Sequence, residues 1–218
     1  MKKDVALVTG GSRGIGQKIV ERLRSEGHTV ISPSRDDLDL SNKESVETYI
    51  ENYRGDLSVL VNNAGVNVLG TIEEYSDSNL EKMMQTNLLA AFRLCQFAAS
   101  FDSLRAICNI ASVWSLRSHT GRGVYSMTKS GLLGLTRGLA HDLGSRGVVV
   151  NAVSPGFIET EMTAKNISEE RRQALYSNIP LGKFGTTESV ANIVEFLCSR
   201  KNEYITGQNI IVDGGFLS

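Results

Sequence analysis

The chain has 218 residues, of which 41% are hydrophobic and 22% charged, and 23 basic against 24 acidic side chains leave a formal charge of −1. That length suits one domain, residues 1–218, with a buried core, and the even charge argues against a nucleic-acid partner. No apolar stretch approaches the roughly 20 residues that span a bilayer, and Asp4 and Thr9-Gly10-Gly11 interrupt the apolar start too early for a secretory signal, so a cytoplasmic protein is expected.

Val5-Ala6-Leu7-Val8 is a short apolar run stopped by Thr9-Gly10-Gly11, which predicts a buried strand and a turn. Ile15, Ile19, Val20 and Leu23 recur at helical spacing, and Gly27 closes that helix. Thr29-Val30-Ile31 is the next strand, and Val46, Tyr49 and Ile50 mark a short helix. Val59-Leu60-Val61 is a strand that stops at Asn62-Asn63-Ala64-Gly65. A long helix is predicted from Leu80 to Ala99, a strand over Ala106–Ile110, and a second long helix from Val124 to Leu143. Val148–Val153 reads as a strand ending at Ser154-Pro155-Gly156, Val190–Cys198 as a helix, and Asn209–Val212 as the last strand. The stretch from Glu159 to Gly185 is polar and irregular, a segment suited to covering a site. Cys95, Cys108 and Cys198 sit in apolar segments without a Cys-x-x-Cys pair, which predicts buried, reduced thiols, and no cluster with metal-ligand spacing is present.

Apolar strands alternating with helices predict an α/β fold: a single Rossmann-type doubly wound parallel sheet of about seven strands with helices on both faces. Ligands bind such sheets at the carboxyl ends of the strands. There the sequence places Gly10, Ser12, Arg13, Gly14, Ile15 and Gly16, directly after one strand and opening a helix. Glycines let the backbone approach a pyrophosphate, and the helix start offers unpaired N–H groups to it.

The spacing is Thr-Gly-x-x-x-Gly-x-Gly, and with it the chain resembles the classical short-chain dehydrogenase/reductase family over its whole length. Asn62-Asn63-Ala64-Gly65, Thr86-Asn87-Leu88, Ser112 thirteen positions before Tyr125, Lys129 four after it, and Pro155-Gly156 follow in the family's order. The resemblance implies a catalytic set of Asn87, Ser112, Tyr125 and Lys129. Tyr125 and Lys129 share a helix face. A free phenol titrates near 10, and a neighbouring ammonium is expected to lower that value, making Tyr125 the acid/base. Ser112 is expected to bond the substrate oxygen. The resemblance further gives Lys129 the nicotinamide ribose, and Asn87 a water that links Lys129 to solvent.

The cofactor expected is NADP(H). Ser34 stands where family members selective for NAD carry an acidic residue, and Arg35 follows; a hydroxyl and a guanidinium suit a 2′-phosphate. Arg13 is a second cation on that side, and Asp36 and Asp37 follow close by. Asp39-Leu40 resembles the pair that frames the adenine, and Asn63, Ala64 and Gly65 belong to the same cofactor set. Pro155, Gly156 and Ile158 resemble the segment lining the nicotinamide, and Thr160 the hydroxyl that reaches its carboxamide or a phosphate.

Pro155 to Thr163 and Tyr204-Ile205-Thr206-Gly207 look most like the beta-ketoacyl-(acyl carrier protein) reductases, and Arg146 matches a basic position that they turn towards the carrier protein. Phe101-Asp102-Ser103-Leu104-Arg105 is shorter and poorer in charge than their corresponding stretch. The expected activity is hydride transfer between NADPH and a carbonyl or secondary alcohol, on a small or carrier-bound substrate. A sugar, nucleotide-sugar or other alcohol dehydrogenase is the alternative, and a non-catalytic NADP-binding sensor a third reading. Arg117, His119 and Arg122 lie between Ser112 and Tyr125 and suit either an anionic substrate or a solvated loop; Trp114 suits either a pocket wall or plain packing. Resemblance also implies a homotetramer or homodimer.

Overall fold

The computed structural model describes residues 4–160 and 169–218. Six parallel strands form one sheet in the order β2-β1-β3-β4-β5-β6. They are β1 Val5–Val8, β2 Thr29–Ile31, β3 Val59–Asn62, β4 Ala106–Ile110, β5 Val149–Pro155 and β6 Asn209–Val212. The expected seventh strand is absent among the described residues, because no further apolar run exists there to supply it; Ile158 and Gly185 make only an isolated bridge.

The central strands β1, β3, β4 and β5 alternate between two buried faces, which is why they read as continuously apolar. Ala6, Val8, Val59, Val61, Ala106 and Cys108 pack under helices α1 (Gly14–Ser25) and α7 (Thr187–Cys198). Leu7, Leu60, Ile107 and Val150 pack on the other face under α2 (Lys43–Asn52), α4 (Ala90–Ala98) and the end of α5 (Gly123–Gly144). Gly27 ends α1 at φ +90°, a backbone angle that glycine adopts without strain. The three cysteines are buried and free; burial pushes the Cys95 thiol up to about 12.

The helix predicted from Leu80 to Ala99 is interrupted. α3 (Asp77–Met84) leads into a π-helical turn, Gln85–Leu89, before α4 resumes. Within the predicted irregular stretch, residues 161–168, and with them Glu161, Met162 and Thr163, lie outside the described residues. A short exposed helix, α6 (Glu169–Tyr176), follows them. No helix among the described residues is long and apolar enough to cross a membrane.

The chain starts in β1, turns outward to β2, then crosses to β3 on the other side of β1. The crevice for a ligand therefore opens beyond the ends of β1 and β3, where the direction of winding reverses.

Candidate active site

The loop after β1 is locked to the end of β3. Thr9 Oγ1 accepts from the backbone N–H groups of Asn63 (3.0 Å) and Ala64 (3.1 Å). Asn63 Nδ2 donates to the carbonyls of Thr9 (2.9 Å) and Gly10 (3.1 Å). A Cβ on Gly16 would lie 2.1 Å from the Gly10 carbonyl oxygen and 2.3 Å from Asn63 Nδ2, so only glycine fits. Ile15 packs on the core cluster under α1, and Ser12 and Arg13 are exposed.

α2, α3 and α7 are capped by the side chains of Asn42, Ser76 and Thr186. α1 has no side-chain cap, and its first turn holds no acidic residue. Its N–H groups and partial positive charge thus remain for an anion, and the glycines leave room for one. These residues fit the pyrophosphate of a dinucleotide. Thr160 faces this loop, with its Cγ2 3.8 Å from where a Gly14 Cβ would stand.

Beyond β2, Ser34 Oγ donates to Asp37 Oδ2 at 2.7 Å, which ties down one of the two nearby aspartates. Arg35 is largely exposed and reaches Asp39 Oδ2 at 3.3 Å. Asp39 is held below the ordinary carboxylate range, first by the Ser41 hydroxyl and less by Arg35. Leu40 is buried, and its carbonyl accepts from Gln85 Nε2 at 3.3 Å.

The predicted catalytic residues converge at the end of β4. Ser112 opens a short 3-10 turn, Val113–Ser115, and its Oγ accepts from the Trp114 N–H at 3.2 Å. The Ser112 side chain also acts on the Tyr125 phenol, favouring its ionised form. One turn along α5, Lys129 Nζ lies 5.8 Å from the centre of the Tyr125 ring and donates to the Ile110 carbonyl at 2.7 Å. Burial pushes the Lys129 ammonium down to about 8.

The expected lowering of Tyr125 does not appear. Burial raises the phenol above its ordinary value and outweighs the Ser112 side chain and the Arg122 charge, which act to lower it. Lys129 points at Ile110 and is itself easily neutralised, so its ammonium does not offset the loss of water.

Asn87 sits in the π-helical turn. Its Nδ2 donates to the Val66 carbonyl (2.9 Å) and Thr128 Oγ1 (3.1 Å), and its Oδ1 accepts from the Val66 N–H (2.8 Å). Both amide hydrogens are thus committed to protein. Thr128 in turn donates to the Tyr125 carbonyl at 2.8 Å, so Asn87 braces the helix turn that carries Tyr125. A Cβ on Gly65 would stand 3.3 Å from both Asn87 Oδ1 and Lys129 Nζ, so those two groups face each other across this glycine.

Pro155 ends β5, the Gly156 N–H donates to the Val212 carbonyl at 2.9 Å, and Ile158 is buried. Trp114 lies edge-on to Phe157 (6.3 Å) and Phe216 (6.1 Å), and Phe157 stacks on Phe184 (5.4 Å). Trp114 is therefore part of an aromatic wall beside Ser112. Sequence reasoning missed Phe157, Phe184 and Phe216, which only the fold brings together. It also missed a buried polar chain behind the site: Asn62 Nδ2 donates to Asn109 Oδ1 (2.8 Å), and Asn109 Nδ2 to Thr136 Oγ1 (2.9 Å). Their place at strand ends and on the same long helix as Tyr125 was the available signal. Arg146 donates to the carbonyls of Ala99 (2.6 Å) and Phe101 (2.8 Å), closing the short turn before β4.

Comparison with known proteins agrees with this geometry. A family model described as enoyl-(acyl carrier protein) reductase matches residues 36–217. The 3-oxoacyl-(acyl-carrier-protein) reductase of Aquifex aeolicus is 39% identical, the match covering 97% of this chain and 96% of the relative. That of Escherichia coli is 34% identical with the same coverage. Among solved structures, a blue fluorescent protein from a metagenomic library in complex with NADPH superposes with TM-score 0.88 at 34% identity, over 99% of this chain and 98% of that one. The aldohexose dehydrogenase of Thermoplasma acidophilum gives TM-score 0.91 at 31% identity, over 99% and 94%. The chain belongs to the short-chain dehydrogenase/reductase family.

Proposed function

We propose that this protein is an NADPH-dependent carbonyl reductase in which Tyr125 gives a proton to the substrate oxygen. The observation that carries this reading is the convergence of Ser112, Tyr125 and Lys129 at the end of β4, beyond the same strand ends as the uncapped start of α1. The bound nicotinamide supplies the hydride. Ser112 donates to the carbonyl oxygen and steadies the charge that builds there. Tyr125, held protonated by burial, is in the form that reduction requires. Gly10, Ser12, Gly14, Ile15 and Gly16 cradle the pyrophosphate, while Asn63 and Ala64 hold that loop. Arg13, Ser34 and Arg35 receive the 2′-phosphate, with Asp39 and Leu40 beside the adenine. Gly65, Lys129, Pro155, Gly156, Ile158 and Thr160 line the nicotinamide side.

The substrate class the relatives favour is a 3-oxoacyl thioester on acyl carrier protein. The aldohexose dehydrogenase likeness supports a second reading, a sugar dehydrogenase. The continuous sheet supports a single domain, and the even charge speaks against a nucleic-acid partner. Exposed Leu89, Phe92, Met127 and Ile211, on the long helices and the last strand, support a homotetramer or homodimer.

Tyr125→Phe tests the mechanism. Turnover of NADPH with acetoacetyl thioester should fall by about a hundredfold or more while NADPH affinity stays within a few fold. Near-normal turnover would refute the role. A panel of keto-sugars run beside the thioester separates the two substrate readings, and a sensor would bind NADPH and consume none.

A further inference from the structure

Two guanidinium groups pack on the rings of the aromatic wall. Arg122 immediately precedes α5, three residues before Tyr125, and its Cζ lies 4.9 Å from the centre of the Trp114 ring. The backbone N–H of Trp114 in turn donates to Ser112 Oγ at 3.2 Å. Arg117 Cζ lies 5.4 Å from the centre of Phe216, the ring that packs on Trp114. Among the described residues, neither arginine forms an ion pair. Among the described residues, Glu159 pairs with Arg172, and Asp213 accepts from the N–H groups of Gly215 and Leu217. Arg122 is half-buried; desolvation is the main influence against its charge, Tyr125 acts in its favour, and Arg171 acts against it to a lesser degree.

A partly desolvated guanidinium is unfavourable without a counter-charge. Stacking on an indole fixes the plane of the group and leaves its N–H edge to a ligand. That edge matches the two oxygens of a carboxylate or phosphate. Trp114 supplies the ring and, through its backbone N–H, meets the Ser112 hydroxyl, and Arg122 stands three residues before Tyr125, so an anion held there is assigned to the reacting molecule.

We propose that Arg122, braced on Trp114, binds an oxyanion carried by the carbonyl substrate itself, a carboxylate or a phosphate. This rests on the carbonyl-reductase reading and specifies its substrate class.

Two matched pairs test it in the purified protein with NADPH: acetoacetate against its methyl ester, and dihydroxyacetone phosphate against dihydroxyacetone. The anion should be favoured in kcat/KM by about tenfold to a hundredfold in one pair, which identifies carboxylate or phosphate. Arg122→Gln should collapse that ratio towards one through KM, and Arg122→Lys should restore part of it. A wild-type preference for the neutral partner in both pairs, or a ratio that Arg122→Gln leaves unchanged, would overturn the proposal. If no carbonyl compound consumed NADPH, the carbonyl-reductase reading would fall. The anion site is read separately, by calorimetric titration of the NADP-saturated protein with succinate and with methyl phosphate. Binding that Arg122→Gln abolishes supports the site; absence of binding to the wild type overturns it.

Discussion

Replacing Lys129 with Met removes an ammonium that the folded chain holds at a loss. Burial takes its pKa from the ordinary 10.5 down to about 8. At about 1.4 kcal/mol per pH unit, that gap corresponds to about 3 kcal/mol of stability forfeited wherever the amine is charged in both states. Methionine recovers this but leaves the Ile110 carbonyl without its 2.7 Å donor, which costs about 1–3 kcal/mol. The net gain near neutrality is therefore small, about 1 kcal/mol.

The pH dependence is what distinguishes the cause. For a group whose folded pKa is depressed, the unfolded chain binds more protons between about 8 and 10.5, so wild-type stability rises across that window relative to the variant. Below it the penalty is constant. From about pH 8 to about pH 9.5 the wild type should gain about 2 kcal/mol on Lys129→Met and overtake it. Urea unfolding of the ligand-free proteins, followed by circular dichroism at several pH values, measures this directly. A stability difference that stays flat with pH would show that burial does not disfavour the ammonium, and the account of Lys129 would fail. The same variant should lose turnover, since the amine is proposed to serve the nicotinamide ribose.

Arg35→Ala should weaken NADPH by about tenfold and leave NADH nearly unchanged, because the lost group is a phosphate ligand; titration of both nucleotides by fluorescence checks it, and equal losses would remove Arg35 from the 2′-phosphate site. Asn109→Ala removes one bond each from buried Asn62 Nδ2 and Thr136 Oγ1, leaving them only Cys95 Sγ and the Leu132 carbonyl. It should destabilise the fold by about 2–4 kcal/mol in urea denaturation, and a cost below about 1 kcal/mol would mean that water enters to replace the bonds.

The central strands were legible because burial on two faces leaves unbroken apolar runs, and most of the helices because one buried stripe recurs at helical spacing. The pairing of Tyr125 with Lys129 was legible because four residues make one helical turn. The interruption at Gln85–Leu89 was not, since one surplus residue in a helix leaves no mark on composition. Nor was the direction of the Tyr125 shift. It depends on where Lys129 Nζ points, and a carbonyl at the end of β4 decides that. The wall of Phe157, Phe184 and Phe216 joins segments far apart along the chain, and no local pattern distinguishes those rings from ordinary core residues. Trp114, Arg117 and Arg122 drew notice by position alone; what they stack upon emerged only in three dimensions.

The wide turn that carries Asn87 limits where this chain tolerates a change of length. Deleting one residue from positions 85–89 would restore a regular spiral and rotate α3 against α4 by about 100°, the angle per residue of an α-helix. Met83 would leave the interior, or Leu94 and Cys95 would. Deletion scanning of this segment should therefore meet an abrupt boundary, whereas the exposed stretch around Ile72 and Glu73, only a dozen positions upstream, should accept added residues with little penalty.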